Sequence, residues 1–210
     1  MDWVAISSLA TAGGTLALAV TTYLSVRSAN NAARTAERSL LAGLRPLLVE
    51  SLDSDPIQRV NFHDQPGIVT PGGGAAVQVI DDRIYIVLSL RNVGPGIAVL
   101  FGGRLYPGRR RIRSEIELES FTMLTRDIYI PPGRIGFWQI AYRRNENDEY
   151  DAMLGAIENG EFIADVLYGD YEGGQRVVTR YGVLRNDDGE WRISTFRHAQ
   201  LDRNDPRLHD

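Results

Sequence analysis

The sequence predicts a mainly β protein, an antiparallel β-sandwich preceded by a long N-terminal α-helix. The first observation is an uncharged run from Trp3 to Val26, placed at the very start of the chain. The second is a change of pattern at Pro46, after which short apolar segments alternate with turns rich in Gly, Pro, Asn and Asp. We therefore expect a helix over residues 1–45, a β domain over 46–200 and a polar tail over 201–210.

The uncharged run is long enough to cross a lipid bilayer. At about 1.5 Å per residue its 24 residues cover roughly 36 Å, against a hydrocarbon core of about 30 Å. We predict a transmembrane helix over residues 1–26 that contacts lipid through residues 3–26. Two alternatives stay open: a helix buried in an oligomer, since the run holds many Ser, Thr and Gly residues, and a cleaved signal peptide, although Met1-Asp2 is not basic.

Charges beside the run predict its orientation. Arg27, Arg34 and Arg38 follow it, whereas only Asp2 and the terminal amine precede it. The excess of positive charge on the C-terminal side predicts a single-pass protein of the plasma membrane, with the N-terminus outside and the following domain in the cytoplasm.

The helix is expected to continue as a juxtamembrane stalk over residues 27–45. This segment contains no proline, and Ala29, Ala33, Ala36, Leu40 and Leu44 share one helical face. Pro46 then stops the helix, because proline disfavours the helical conformation of the residue before it. The stripe fits a short coiled coil that forms a homo-oligomer through residues 27–44, or a linker helix that packs on its own domain.

The β domain is predicted from alternating apolar segments. A long loop, Asp53 to Gly74, is expected after the first strand, with a brief strand at 59–62. A bulge is expected at Gly102-Gly103. The capped pattern of Asn147 to Asn159 predicts the one short helix near 147–159. Strands are predicted at 47–52, 75–80, 84–91, 97–105, 115–124, 135–142, 162–168, 176–184 and 191–196.

Several of these motifs carry a resemblance. The Ala/Arg/Ser-rich stalk, Leu44-Arg45-Pro46, the turn from Asn92 to Ala98, and Tyr168, Asp170 and Gly173 are all present. With the N-terminal helix, they resemble uncharacterised bacterial, actinobacterial-type, membrane-anchored proteins. The resemblance implies an immunoglobulin-like β-sandwich and brings no assigned activity.

The turn Asn92-Val93-Gly94-Pro95-Gly96, called the NVGPG turn below, has two interpretations. It can connect two strands, with the glycines permitting unusual backbone angles. It can also form a backbone nest for an anion. It lacks the Gly-Lys-Ser/Thr ending of a phosphate loop, and we interpret it as a strand connection.

Composition argues against most enzymatic chemistry. The net charge is −4, all 23 basic residues are arginine, and cysteine is absent, so disulfides and thiol catalysis are excluded. His63, His198 and His209 show no zinc-ligand spacing, and no Gly-x-Ser-x-Gly motif occurs. Asp165 and Asp170 lie five residues apart, which places them on opposite faces of a strand. We predict no catalytic residue, no metal site and no cofactor.

The one unusual charge cluster is Arg109, Arg110, Arg111 and Arg113. It fits a patch for anionic lipid head groups. It also fits a solvated loop whose arginines pair with Glu115, Glu117 and Glu119. Nucleic acid is an improbable partner, because no aromatic stacking platform lies nearby in the sequence.

Two classes of function follow. The first is a membrane-anchored interaction module, an accessory, scaffold or adaptor protein that docks an unidentified protein partner. The second is a membrane-tethered small-ligand binder or sensor, with the loop from Asp53 to Gly74 as a lid.

Overall fold

A computed structural model describes residues 3–65, 67–108 and 116–202, and of residues 3–7, 9 and 10 it describes only the helical backbone. Helix α1 runs from Trp3 to Gly43. The chain divides into two compact units between Gly43 and Leu44, two residues before the predicted boundary. The helix is continuous through residues 27–43, because no proline interrupts the segment before Pro46.

The membrane prediction is not supported by the described helix. No helix in the described part of the chain is long and apolar enough to cross a membrane. Gly13, Gly14 and several threonines lower the hydropathy of the described portion of the 3–26 segment, and Arg27 follows it.

Every strand pairing among the described residues is antiparallel, as predicted. Within these residues, one sheet of ten strands runs in the order β1-β5-β4-β12-β11-β10-β6-β7, with β9 also paired to β5 and β8 to β6. Strands β2 and β3 form a separate hairpin. The bounds are β1 Leu48–Glu50, β2 Gln58–Val60, β3 Ile68–Thr70, β4 Gly74–Ile80, β5 Arg83–Asn92, β6 Ala98–Pro107, β7 Thr122–Met123, β8 Tyr129–Ile130, β9 Ile135–Arg143, β10 Glu161–Gly169, β11 Val177–Arg185 and β12 Trp191–Gln200.

One main hydrophobic core contains residues from strands in both halves of this order. Leu88 of β5 and Trp138 of β9 belong to the same buried cluster as Phe162 of β10 and Tyr181 of β11. Helix α2, Tyr150–Glu158, adds Tyr150 and other apolar residues to that cluster. The sheet therefore folds over so that its two halves share one apolar interior.

The segment predicted as a long loop, Asp53 to Gly74, contains the β2–β3 hairpin. Val60, Phe62 and Ile68 form a second buried cluster with Tyr85 and Val87 of β5. The rings of Phe62 and Tyr85 lie 4.9 Å apart in an edge-to-face arrangement. The described part of this segment is therefore packed against the sheet through these residues.

Three local predictions need correction or refinement. Of the strand predicted at 115–124, residue 115 lies outside the described residues, and the rest contains a 3-10 turn at Leu118–Ser120 followed by the two-residue β7. Helix α2 begins at Tyr150, because the Asn147 side chain accepts a hydrogen bond from the Arg143 amide at 2.9 Å and does not cap the helix. The predicted bulge is present beside Gly102, where the β6–β10 register skips Phe101.

Candidate functional site

Helix α1 exposes apolar side chains along its described length. Leu16, Leu18 and Tyr23 are 68%, 69% and 65% exposed. Helices in proteins gain most of their stability from packing an apolar face, so an uncovered helix of this composition is an unusual surface. The other large exposed apolar residues of α1 are Val20, Leu24, Val26 and Leu40.

Part of this surface follows a strict alternation of three and four residues. We call it the seam, and it contains Ala12, Leu16, Ala19, Tyr23, Val26, Asn30, Ala33, Glu37 and Leu40. A repeat of 3.5 residues places these positions on one side of a helix that supercoils around a partner. The predicted stripe at 29–44 shares only Ala33 and Leu40 with it, and the signal that reveals the longer seam is its heptad period.

A shallow groove is lined by Ala12, Leu16 and Ala19 together with Ser8, Thr11 and Thr15. The Thr15 hydroxyl donates to the Thr11 carbonyl at 2.8 Å. This bond satisfies the hydroxyl within the helix.

The chain that leaves α1 is held by the NVGPG turn. The buried Asn92 side chain accepts from the amides of Leu47 at 3.2 Å and Gly94 at 3.0 Å. Its amide group donates to the carbonyls of Gly96 at 2.7 Å and Ile130 at 2.9 Å. One side chain therefore joins the entry segment, its own turn and strand β8.

The two glycines of the turn are required by this contact. A Cβ at Gly94 would overlap backbone atoms of Arg45, Pro46 and Leu47, and one at Gly96 would overlap the carbonyl of Leu44. The turn lies directly on residues 44–47, which explains why glycine stands at both positions. Leu44-Arg45-Pro46 and the NVGPG turn, noted separately in the sequence, are in direct contact. We call this contact between residues 44–47 and 92–96 the joint.

A series of buried hydrogen bonds extends from this joint into the β domain. The Leu48 amide donates to the Tyr168 hydroxyl at 3.1 Å, and that hydroxyl lies 2.9 Å from the Thr179 hydroxyl. Thr179 in turn lies 2.8 Å from Nδ1 of His198. The Tyr181 hydroxyl donates to the Leu48 carbonyl at 3.0 Å. Burial raises the pKa of both tyrosines, so the phenols stay protonated and hold β1 in place.

The two carboxylates considered from the sequence each have a local partner. Asp165 is fully buried and forms an ion pair with Arg180. Asp170 accepts a hydrogen bond from the Gly174 amide at 2.9 Å and another from Gln175, which closes the turn between β10 and β11. Among the described residues, no group of three or more His, Asp or Glu is arranged to hold a metal ion.

The predicted arginine patch lies outside the described residues. This applies to Arg109, Arg110, Arg111 and Arg113, and to Glu115. Glu117, which was expected to pair with the patch, accepts from Arg104 of β6 at 2.9 Å.

Comparison with known proteins identifies no relative. The chain matches no protein-family model, no curated protein and no solved structure.

Proposed function

We propose that this protein is an interaction module that assembles with a second copy of itself through the seam of helix α1. The β domain, which we propose to be an immunoglobulin-like sandwich without enzymatic activity, is the part that each copy presents to further partners. The observation that carries the proposal is the exposure of the large apolar seam residues, above all Leu16 and Tyr23. Burying such side chains against a partner gives about 1.5–3 kcal/mol each.

The heptad period favours a second helix, and not lipid, as the partner of the seam. A lipid environment contacts a helix on all sides and does not require a repeat of 3.5 residues, whereas a coiled coil does. Asn30 occupies a seam position, and a single buried asparagine pairs with its equivalent in a parallel dimer and sets the register. These features support an identical partner in the same orientation.

The arginines beside the seam also support a parallel arrangement. Arg27 and Arg34 each follow a seam residue directly, at the e position of the heptad. In a parallel pair the e position faces the g position of the other helix, which is Thr22 or Ala29 here. An antiparallel pair would place e beside e and bring these arginines together, and like charges in contact are destabilising.

A pair of matched leucines tests this proposal. Leu16 lies in the seam and Leu18 lies outside it, and their exposures, 68% and 69%, are equal within one percentage point. We expect the full chain to sediment as a dimer, Leu16→Asp to sediment as a monomer and Leu18→Asp to remain a dimer. Equal loss of assembly in both variants, or a monomeric wild type, would contradict pairing through the seam.

The membrane assignments stay predictions. A location at the plasma membrane, with the N-terminus outside, rests on the arginines after residue 26, and the lipid patch rests on Arg109 to Arg113. Flotation of the full chain with anionic vesicles tests both, with a variant in which the four patch arginines are replaced by glutamine. If the wild-type protein stays at the bottom of the gradient, the membrane location is rejected.

A further inference from the structure

An open cavity of about 700 Å³ lies in the β domain. Three segments that are distant in sequence form it: the loop after β2, the turn between β4 and β5, and the turn after β9. Its lining is entirely polar or charged and consists of His63, Asp64, Asp82, Arg83, Arg143, Arg144, Asn145 and Glu146.

The floor of the cavity is a fixed arrangement of two arginines around one carboxylate. Asp64 lies 2.7 Å from Nη1 of Arg83 and 3.3 Å from Nη2 of Arg143, and its side chain is only 18% exposed. Tyr85, 2% exposed, interacts with both Asp64 and Arg83. Burial disfavours the charge on Asp64, but hydrogen bonding from Arg143 and the charge of Arg83 outweigh it and lower the pKa of Asp64.

The rim is held much more weakly. Arg143 also contacts Glu146 at 2.9 Å, and Arg144 contacts Asp82 at 3.1 Å. The Glu146 and Asp82 side chains are 55% and 72% exposed. Exposed ion pairs of this kind are worth about 0–1 kcal/mol, so another anion can replace either carboxylate at little cost.

The backbone around the rim is firmly placed. The Arg144 amide donates to the Asp82 carbonyl at 3.1 Å, and the amides of Glu146 and Asn147 both donate to the Arg143 carbonyl at 3.0 Å. These bonds do not involve the rim carboxylates. The backbone of the rim therefore stays in place when Asp82 and Glu146 turn away. The Arg143 guanidinium is still held by Asp64 at 3.3 Å, and that of Arg144 by Asp151 at 3.4 Å and by the Tyr150 ring, 4.8 Å from its centroid.

We propose that this cavity binds a small oxyanion, a phosphate or a dicarboxylate, on Arg143 and Arg144. The anion takes the place of the Glu146 and Asp82 carboxylates, while Asp64 keeps Arg83 and Arg143 in position beneath it. A planar guanidinium donates two parallel hydrogen bonds to a carboxylate or a phosphate, which makes this chemical class the matching one.

Removing the rim carboxylates tests the site. Titration of the full chain with inorganic phosphate, and separately with succinate, is followed by amide NMR shifts of Asn145 and Glu146 or by calorimetry. We expect saturable binding of at least one probe. Asp82→Asn with Glu146→Gln should tighten it about threefold to tenfold, because two carboxylates that compete for Arg143 and Arg144 are gone. Asp151, 3.4 Å from Arg144 and 82% exposed, remains in this variant. Arg144→Gln should weaken it by a similar factor.

A matched control separates this effect from net charge. Asp187→Asn with Glu172→Gln makes the same change of charge at two exposed positions outside the cavity lining. We expect this pair to leave the affinity unchanged. Equal tightening in both pairs, or no saturable binding of either probe up to about 10 mM, would overturn the proposal. The Leu16→Asp variant should bind as the wild type does, so this test is independent of assembly through α1.

Discussion

Asp165 of β10 and Arg180 of β11 form a two-point ion pair that solvent does not reach. Nε and Nη2 of Arg180 each lie 2.7 Å from a carboxylate oxygen of Asp165, and the two side chains are 3% and 0% exposed. The two residues are paired directly across the strands. The pair raises the pKa of Arg180 through the hydrogen bonds from its guanidinium to Asp165.

Breaking this pair on one side should be costly. We expect Arg180→Met to lower the free energy of unfolding by about 3–5 kcal/mol, because it leaves a buried carboxylate without its counter-charge. Arg180→Met combined with Asp165→Leu should recover much of that loss. The exposed pair of Arg176 and Asp202 is the control, and Arg176→Met should cost less than about 1 kcal/mol. Urea denaturation measures all three, and similar losses at Arg176 and Arg180 would contradict this account.

The contact between the NVGPG turn and residues 44–47 should not tolerate a methyl group at Gly96. Its added Cβ would overlap the Leu44 carbonyl, so we expect Gly96→Ala to lower the free energy of unfolding by about 1–3 kcal/mol or more. Gly155→Ala in helix α2 is the matched control, since no heavy atom lies within 4 Å of the new Cβ. Alanine is the better helix former, so this control should be neutral or stabilising by up to about 1 kcal/mol. Thermal unfolding in which the two variants behave alike would count against a tight joint.

Alkaline pH should destabilise the domain through Tyr181. In the unfolded chain its phenol ionises near pH 10, whereas burial and the neighbouring Tyr168 hold its pKa well above that in the folded protein. The unfolded state then binds fewer protons, so stability falls as pH rises above about 10. Tyr181→Phe should lose about 1 kcal/mol at neutral pH, from the bond to Leu48, and show a shallower decline at high pH. An unchanged alkaline slope would argue against this origin.

Dimerisation through the seam should strengthen when the charge of Glu37 is removed. Glu37 occupies an a position, where a charge opposes pairing of two identical helices. We expect Glu37→Leu to lower the dissociation constant of the dimer several-fold in sedimentation equilibrium. Glu37→Gln should give a smaller effect in the same direction, because it removes the charge and leaves the site polar. Weaker association of Glu37→Leu would exclude the register proposed for the seam.

Much of the fold follows from local patterns. The strand around Ile86 is predicted by alternation, and the continuous helix by the absence of proline before Pro46. The same reasoning fails at residues 115–124 and at Asn147. A side chain such as Asn147 has two possible backbone partners, one in the helix after it and one in the strand before it. Its local sequence does not decide between them. In the structure the Asn147 side chain accepts from the amide of Arg143, at the end of β9.

The polar cavity shows a different limit of prediction from the sequence. Asp64, Arg83 and Arg143 belong to three segments, and no motif of the sequence links them. The sequence contained a weaker hint, since the loop from Asp53 to Gly74 was long enough to carry a function. The packing of Phe62 on Tyr85 decided where that loop places Asp64.

By itself the sequence determined the elements: a long helix before Pro46, antiparallel strands after it, and glycine in the NVGPG turn. Only the tertiary structure decided which elements meet. It placed that turn on residues 44–47 and set Asp165 opposite Arg180. Helix periodicity, strand alternation and turn chemistry depend on residues that are close in sequence. They can therefore be predicted from the sequence. Contacts across the sheet depend on register and on shared burial, which residues far apart in sequence determine together.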